Sequence, residues 1–367
     1  MFENLAVQHH DPLLSRRAAI GALGAAGLTA AALARNGQPG TQPATPPATT
    51  PSTSPAPAKP AGPAPLPPGT DLNGAGFYRF KVGTTTLTLL TDGSMPLSTT
   101  MFGANASKED VEAAAAEVMI PPARMLGHVH GMLIDTGAGD SGRVLIDSGC
   151  GTDMGPGTGR LFQSPAKAGF TPAQIGAVVI THAHPDHVRG LLQVGFEAFP
   201  AAQFFAARTE VDYWMNNPDL SKVRIPPAMR DAMADTAKGL FAQLLEPSLK
   251  TRFHQLGDGD KIIDGITLAL APGHTPGHSA VTVTNGAEKF MYLADVAHHA
   301  GIQFPHPDWH VAYDTDPVLA AKSRRTLLTQ AAAERTLVSG AHLPFPAVGY
   351  VKREGSGFNW VPRVWEW

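Results

Sequence analysis

A short apolar strand followed at once by a cluster of histidines constrains this chain more than any other part of its sequence. Residues Ala177 to Ile180 are continuously apolar, which predicts a strand buried on both faces. The chain continues Thr181-His182-Ala183-His184-Pro185-Asp186-His187. Imidazoles and a carboxylate at a strand-to-helix turn are typical ligands of zinc or a similar divalent ion. The alternative is a hydrogen-bonded polar turn beside the strand.

The spacing within this cluster suggests two metals. One tetrahedral zinc takes only four ligands. The alternate residues His182 and His184 should point one way, and Asp186 with His187 another. We therefore expect His182 and His184 at one metal. Asp186 and His187 then belong to a second one.

Further candidate ligands follow later apolar runs. They are His274 in Pro272-Gly273-His274-Thr275-Pro276-Gly277-His278, Asp295 after Tyr292-Leu293-Ala294, and His342 after Ser339-Gly340-Ala341. Each lies among small residues, which allow the backbone to approach closely. A two-metal site needs more ligands than the first cluster supplies, and these three positions can supply them.

Strands and helices alternate along the rest of the chain in blocks of hairpins. Strands are predicted over Phe77 to Val82, Thr86 to Leu90, Gly131 to Asp135, Arg143 to Asp147, Ala177 to Ile180, Ile262 to Ala271, Ala280 to Thr284, Lys289 to Leu293 and Thr336 to Ser339. Helices are predicted over Ser107 to Met119, Val188 to Val194, Glu210 to Met215, Pro227 to Leu245 and Pro317 to Ala333. This order favours two sheets packed face to face with helices outside over a doubly wound parallel sheet.

Five segments in this order resemble the signature motifs of the metallo-β-lactamase superfamily. They are Leu145-Ile146-Asp147-Ser148-Gly149, the cluster at 182–187, the segment 273–278, Asp295 and His342. The resemblance covers residues 75 to 365 and implies an α/β fold, the αβ/βα four-layer sandwich, with a dinuclear metal site at the sheet edge. It assigns His182, His184 and His274 to the first metal, Asp186, His187 and His342 to the second, and Asp295 to a bridge between them. Asp147 and His278 would orient ligands from behind.

This ligand set implies metal-assisted hydrolysis. Two divalent ions, with zinc favoured, can share a bridging hydroxide whose parent water has its pKa lowered toward ~7. One ion also polarises the bond under attack. Asp186 and His298 are the residues assigned to catalysis. Cys150 lacks the spacing of a ligand, and we expect it to be a small buried thiol.

Other segments resemble the branch of the superfamily that contains lactonases and methyl parathion hydrolase. These are Glu210 to Trp214, Gly301 to Phe304, and His342 through Phe358. The resemblance implies a pocket for an ester with an apolar leaving group. Its lining residues would be Met154, Trp214, Trp309 and Tyr313.

One position in this branch bears on the substrate. At the position of His298, lactone-hydrolysing relatives tend to carry a hydrogen-bond donor, whereas organophosphate-hydrolysing ones carry an apolar residue. We therefore expect a lactone or an aryl ester as the substrate, with a phosphotriester as the alternative. A β-lactamase and a non-catalytic metal-binding module are the remaining hypotheses.

The first 69 residues differ in composition from the rest. Ser15-Arg16-Arg17 precedes an Ala/Gly/Leu run from Ala18 to Ala34, which is the pattern of a twin-arginine signal peptide over residues 1–35. Residues 36–69 are rich in Pro, Ala and Thr, and we expect a disordered linker. Residues 70–367 are left as the hydrolase domain. Recognition by the twin-arginine export machinery would make it periplasmic or secreted, either released or held by an uncleaved N-terminal anchor.

The amino-acid composition excludes several classes of structure and of binding partner. One Cys among 367 residues excludes an intramolecular disulfide framework and a Cys-rich zinc module. A formal charge of -3 without Lys/Arg blocks argues against a nucleic-acid partner. We expect a small-molecule substrate. Because relatives are often dimers, a homodimer stays open.

Overall fold

Fourteen strands in the described part of the chain form two seven-stranded sheets. The computed structural model describes residues 76–120 and 125–364. The predicted signal peptide at 1–35 and linker at 36–69 lie outside the described residues. The first sheet, in spatial order, contains β1 Phe77–Val82, β2 Thr85–Pro96, β3 Leu126–Asp135, β4 Arg143–Ile146, β5 Ala177–Ile180, β6 Gln203–Ala207 and β7 Phe253–Leu256. The second contains β14 Gly357–Pro362, β13 Val348–Glu354, β12 Leu337–Ser339, β11 Glu288–Tyr292, β10 Ser279–Asn285, β9 Ile266–Leu270 and β8 Lys261–Ile263.

Helices cover the outer faces of both sheets. They are α1 Lys108–Glu117, α2 Gln163–Ala168, α3 Pro185–Val194, α4 Arg208–Met215, α5 Pro227–Leu244, α6 Ala300–Gln303 and α7 Pro317–Glu334. One buried core lies between the sheets and joins residues such as Leu87 of β2 to Leu268 of β9. A second core joins the first sheet to α3, α4 and α5, while α7 packs on the second sheet. The predicted α/β sandwich of two facing sheets with outer helices is confirmed.

The observed elements follow the sequence pattern with a few differences. The predicted strand over Ile262 to Ala271 is two antiparallel strands, β8 and β9, because Gly265 adopts a φ of 78° between them, a conformation that favours a turn. The strands β6, β7, β13 and β14 were not predicted. Among the described residues, no helix is both long and apolar enough to cross a bilayer.

The strand directions place the ligand candidates at one edge. β4 and β5 are parallel, and so are β11 and β12. The carboxyl ends of each parallel pair therefore lie side by side. The backbone N–H of Ser279 donates to the Thr181 carbonyl over 3.0 Å, which ties the two sheets together at this edge.

Candidate metal centre

Asp295 lies at the centre of the clustered ligand candidates. Its side chain is buried, and its Oδ1 lies 3.2 Å from His187 Nε2. Its Oδ2 lies 3.2 Å from His274 Nε2 and 3.0 Å from His342 Nε2. The carboxylate thus contacts histidines from both predicted metal sets, as a bridging ligand would.

The side chains assemble into overlapping groups able to hold metal ions. In each group the ligand atoms lie within 4.8 Å of one another. The first group is His182, His184 and His274, and the second is His182, His187 and Asp295. The third is Asp186, His187 and His342, and the fourth is His274, Asp295 and His298. The first and third groups are the two sets expected from the sequence. All seven predicted ligands are therefore brought together at one place.

Several of the buried candidate ligand atoms make no hydrogen bond. The Nε2 atoms of His182, His184, His187 and His274 and the Oδ1 of Asp295 are buried without a hydrogen bond. A buried polar atom without a partner is costly. A cluster of such imidazole nitrogens facing one carboxylate fits divalent ions such as zinc.

The opposite ring nitrogens of three histidines are held in place. His187 Nδ1 donates to Asp147 Oδ2 over 2.8 Å, and His274 Nδ1 donates to Asp314 Oδ1 over 2.8 Å. His342 Nδ1 donates to the carbonyl of His128 over 2.5 Å. Because these contacts hold a proton on each Nδ1, Nε2 is the ring nitrogen that can bind a metal once it is deprotonated.

Asp147 and His278 lie behind the ligands, where the sequence resemblance placed them. Asp147 has a φ of 58° and also accepts the Thr181 hydroxyl over 2.8 Å. His278 donates from Nδ1 to the Ala271 carbonyl and accepts the Asp295 backbone N–H at Nε2 over 3.0 Å. Burial lowers the pKa of His278 to about 3, so this ring is neutral and can accept that bond.

Carboxylates control the protonation of the site before a metal binds. Burial opposes charge on His274, but the neighbouring carboxylates of Asp295 and Asp314 raise its pKa to about 9. Burial likewise opposes charge on His187, yet Asp295 and Asp147 hold its pKa well above the usual value. These imidazoles therefore carry protons at neutral pH that a metal must displace.

Metal affinity should accordingly fall as the pH is lowered. His274 is protonated below about pH 9, so binding releases at least one proton and the apparent affinity should drop by about tenfold per pH unit for each proton released. Zinc titrations of the metal-free protein against a competing chelator at pH 6.5 and 8.5 would measure this difference, with an indicator dye recording proton release. Equal affinity at both values would contradict the assignment.

A mostly apolar cavity opens onto this centre. His184, Asp186, His274, Asp295, His298 and His342 form its polar wall. The apolar lining includes Met95, Leu97, Met101, Phe102, Val129, Met154, Ile225, Met229, Met233 and Tyr313. The structure therefore places the predicted pocket residues Met154 and Tyr313 in this cavity.

The two predicted pocket tryptophans lie elsewhere, which corrects their assignment. Trp214 is fully buried, donates from Nε1 to Glu210 Oε1 over 2.7 Å and packs its edge against the His184 ring from behind. Trp309 stacks on His306 with ring centroids 4.0 Å apart. Neither lines the cavity, because both rings are already used in packing.

His298 occupies a more central position than expected. It lines the cavity, but its Nε2 lies 3.1 Å from Asp295 Oδ2, and its buried Nδ1 has no partner. Burial lowers its pKa to about 4, so the ring is neutral and has a single N–H. The grouping with His274 and Asp295 adds a metal-ligand role to the predicted role as a substrate donor.

Two buried carboxylates near the site were missing from the sequence assignment. Asp314 fixes His274, and its Oδ2 accepts the Val311 backbone N–H over 3.0 Å. Glu210 accepts four hydrogen bonds from neutral donors. The Asp314 contact with His274 spans 40 residues, so no local spacing signal could have revealed it.

Comparison with known proteins decides the family. Residues 125–342, more than half of the chain, match the metallo-beta-lactamase superfamily. This chain belongs to that superfamily. As a member it is a metallo-hydrolase by family. The match runs from Met125, just before β3, to the predicted ligand His342.

Hydrolases are found both among the sequence relatives of this chain and among the solved structures that resemble it. Probable metallo-hydrolases of Mycobacterium bovis and Mycobacterium tuberculosis are each 27% identical over 193 residues, 47% of this chain and 57% of theirs, so the match spans little more than half of their length. AidC, a dizinc quorum-quenching lactonase solved with the product N-hexanoyl-L-homoserine, is 28% identical with a TM-score of 0.72 and covers 79% of this chain and 98% of its own. The hydrolase AbOPH of the beta lactamase superfamily is 26% identical with a TM-score of 0.72 and covers 80% and 100%.

Proposed function

We propose that this protein is a dinuclear-metal hydrolase that opens lactones or cleaves aryl esters. The observation that carries the proposal is the cluster of unpartnered Nε2 atoms and the Asp295 carboxylate at the base of an apolar cavity. The similarity to a dizinc lactonase over almost its full length supports both the metal number and the substrate class. Zinc is the proposed metal.

The residues of the site would have different roles in the proposed hydrolysis. Bound divalent ions supply a Lewis acid and lower the pKa of water toward ~7, which gives a nucleophile at neutral pH. His182, His184 and His274 would hold one ion, and Asp186, His187 and His342 the other, with Asp295 shared. The carboxylate of Asp186 reaches the cavity and would accept the proton of the attacking water.

The apolar walls and His298 would select the substrate. Methionine side chains adapt to irregular apolar groups, and five of them line the cavity. His298 would donate to the ester carbonyl or the departing alkoxide, which favours a planar ester over a bulky phosphotriester. Residues 1–35 and 36–69 are proposed to export the domain by the twin-arginine route and to tether it.

A substrate panel on the full chain tests this proposal. Rates would be measured for lactones, aryl esters, a phosphotriester, a chromogenic cephalosporin and a thioester, with metal content determined on the same samples. We expect about two zinc ions per chain and the highest kcat/KM for a lactone or an aryl ester. Phosphotriester or cephalosporin hydrolysis as the fastest reaction would replace this substrate class, and metal binding without any hydrolysis would indicate a binding module.

The cavity predicts a dependence on the length of the apolar group. Each additional CH2 buried in the cavity should raise kcat/KM about fourfold, until the cavity is full. Met229→Lys places a charge in the lining and should flatten this dependence. Met215→Lys, at a partly exposed position outside the lining, is the matched control and should keep it. A flat series in the unaltered protein would rule out this binding mode.

A further inference from the structure

One buried carboxylate joins the two loops that carry the first metal set. Glu210 in α4 is fully buried, and its Oε1 accepts the backbone N–H of Ala183 over 2.9 Å and Trp214 Nε1 over 2.7 Å. Its Oε2 accepts the Thr275 hydroxyl over 2.5 Å and the Gly277 backbone N–H over 3.1 Å. All four partners are neutral donors, so the carboxylate serves as an acceptor for both loops.

The positions of these donors coincide with the ligands of one metal. Ala183 lies between His182 and His184, and Thr275 directly follows His274. Those three histidines form one of the groups within 4.8 Å. The loop also approaches α4 closely, because a Cβ at Gly277 would lie 2.1 Å from the Glu210 backbone nitrogen.

The second metal set is organised by different groups. Asp147 holds His187, and the His128 carbonyl holds His342. Neither of these contacts involves Glu210 or its four partners. Glu210 therefore contacts only the loops of the first set, although Asp147 also accepts the Thr181 backbone N–H and hydroxyl beside His182 and Asp295 is shared between the sets.

We propose that Glu210 is a positioning residue for the first metal site alone, fixing the loop of His182 and His184 against the loop of His274. This inference rests on the proposed two-metal site. In Glu210→Gln the NH2 group would face at least one N–H donor whichever way the amide turns, because the Ala183 and Gly277 backbone N–H groups and the Trp214 Nε1–H cannot accept a hydrogen bond. At least one of the two loops therefore loses a contact. Loss of a group that orients metal ligands typically lowers metal affinity by about 10- to 100-fold.

Zinc titration of metal-free, full-length variants tests the site selectivity. His342→Ala retains the first set, and in that background Glu210→Gln should raise the dissociation constant for zinc about 10- to 100-fold. His184→Ala retains the second set, and in that background Glu210→Gln should change the dissociation constant for zinc by less than about threefold. Asp92→Asn is the matched control, since Asp92 is a buried carboxylate that accepts backbone N–H groups from Cys150, Gly159 and Leu161 away from the ligands; it should alter neither constant.

The outcomes separate this inference from the proposed function. Equal loss of affinity in both backgrounds, or none in His342→Ala, would overturn the role of Glu210. A stoichiometry below two zinc ions in the unaltered protein would contradict the two-metal proposal, whereas the comparison of backgrounds still reports on Glu210. If circular dichroism shows that Glu210→Gln does not fold, Thr275→Val removes one of the four donors and should give a smaller shift with the same selectivity.

Discussion

Replacing Asp295 by Asn should remove the shared carboxylate and lower kcat/KM by at least about 1,000-fold, equivalent to ~4 kcal/mol of transition-state stabilisation. Asp295 contacts histidines of both metal sets within 3.2 Å, so its loss affects both ions. An asparagine oxygen can still accept hydrogen bonds, but it carries no charge to balance divalent cations. We expect fewer than two zinc ions per chain, measured by elemental mass spectrometry.

The Asp295 result needs a control for loss of a negative charge. Asp264 is an exposed carboxylate paired with Lys261 over 2.8 Å, and Asp264→Asn should retain both the metals and the activity. Circular dichroism on each variant verifies that the fold is kept. An Asp295→Asn enzyme with two metals and a rate within about tenfold of the unaltered protein would contradict the bridging role.

Replacing His298 by Leu should separate lactone and aryl ester hydrolysis from phosphotriester hydrolysis. Removing one donor aimed at a developing oxyanion costs about 100- to 1,000-fold, and we expect that loss for lactones and aryl esters. The apolar leucine should preserve or raise the phosphotriester rate. In this structure the single N–H of His298 faces Asp295. The imidazole must therefore break this contact before its N–H can donate to a substrate.

Metal content distinguishes the two roles that the structure allows for His298. Two zinc ions retained together with a selective loss of ester hydrolysis would support the substrate-donor role. Loss of both activities together with loss of metal would instead make His298 a ligand in the group with His274 and Asp295. His310→Gln, on the loop that follows α6 and outside the cavity lining, should change neither activity.

Several of the predicted site residues were accessible from the sequence because they come within three residues of the end of an apolar strand. Asp147 follows β4, His182 follows β5 and His342 follows β12, so the strand pattern alone indicated where the chain turns. The residues that line the pocket were harder to predict from the sequence. The family resemblance implied that Trp214 lines the pocket, but its N–H donates to Glu210 and its ring packs against His184 outside the cavity lining.

The sequence by itself determined the family, the sandwich of two sheets and the set of residues that cluster at the candidate metal centre, since short motifs and hydrophobic periodicity are local properties. Only the tertiary structure decided which side chains face the cavity and which carboxylates fix the ligand rings. The contact of Glu210 with Thr275 spans 65 residues, and that of His274 with Asp314 spans 40. Such contacts depend on how helices and loops pack against the sheet edge, and packing between distant segments leaves no periodic signal in a single sequence.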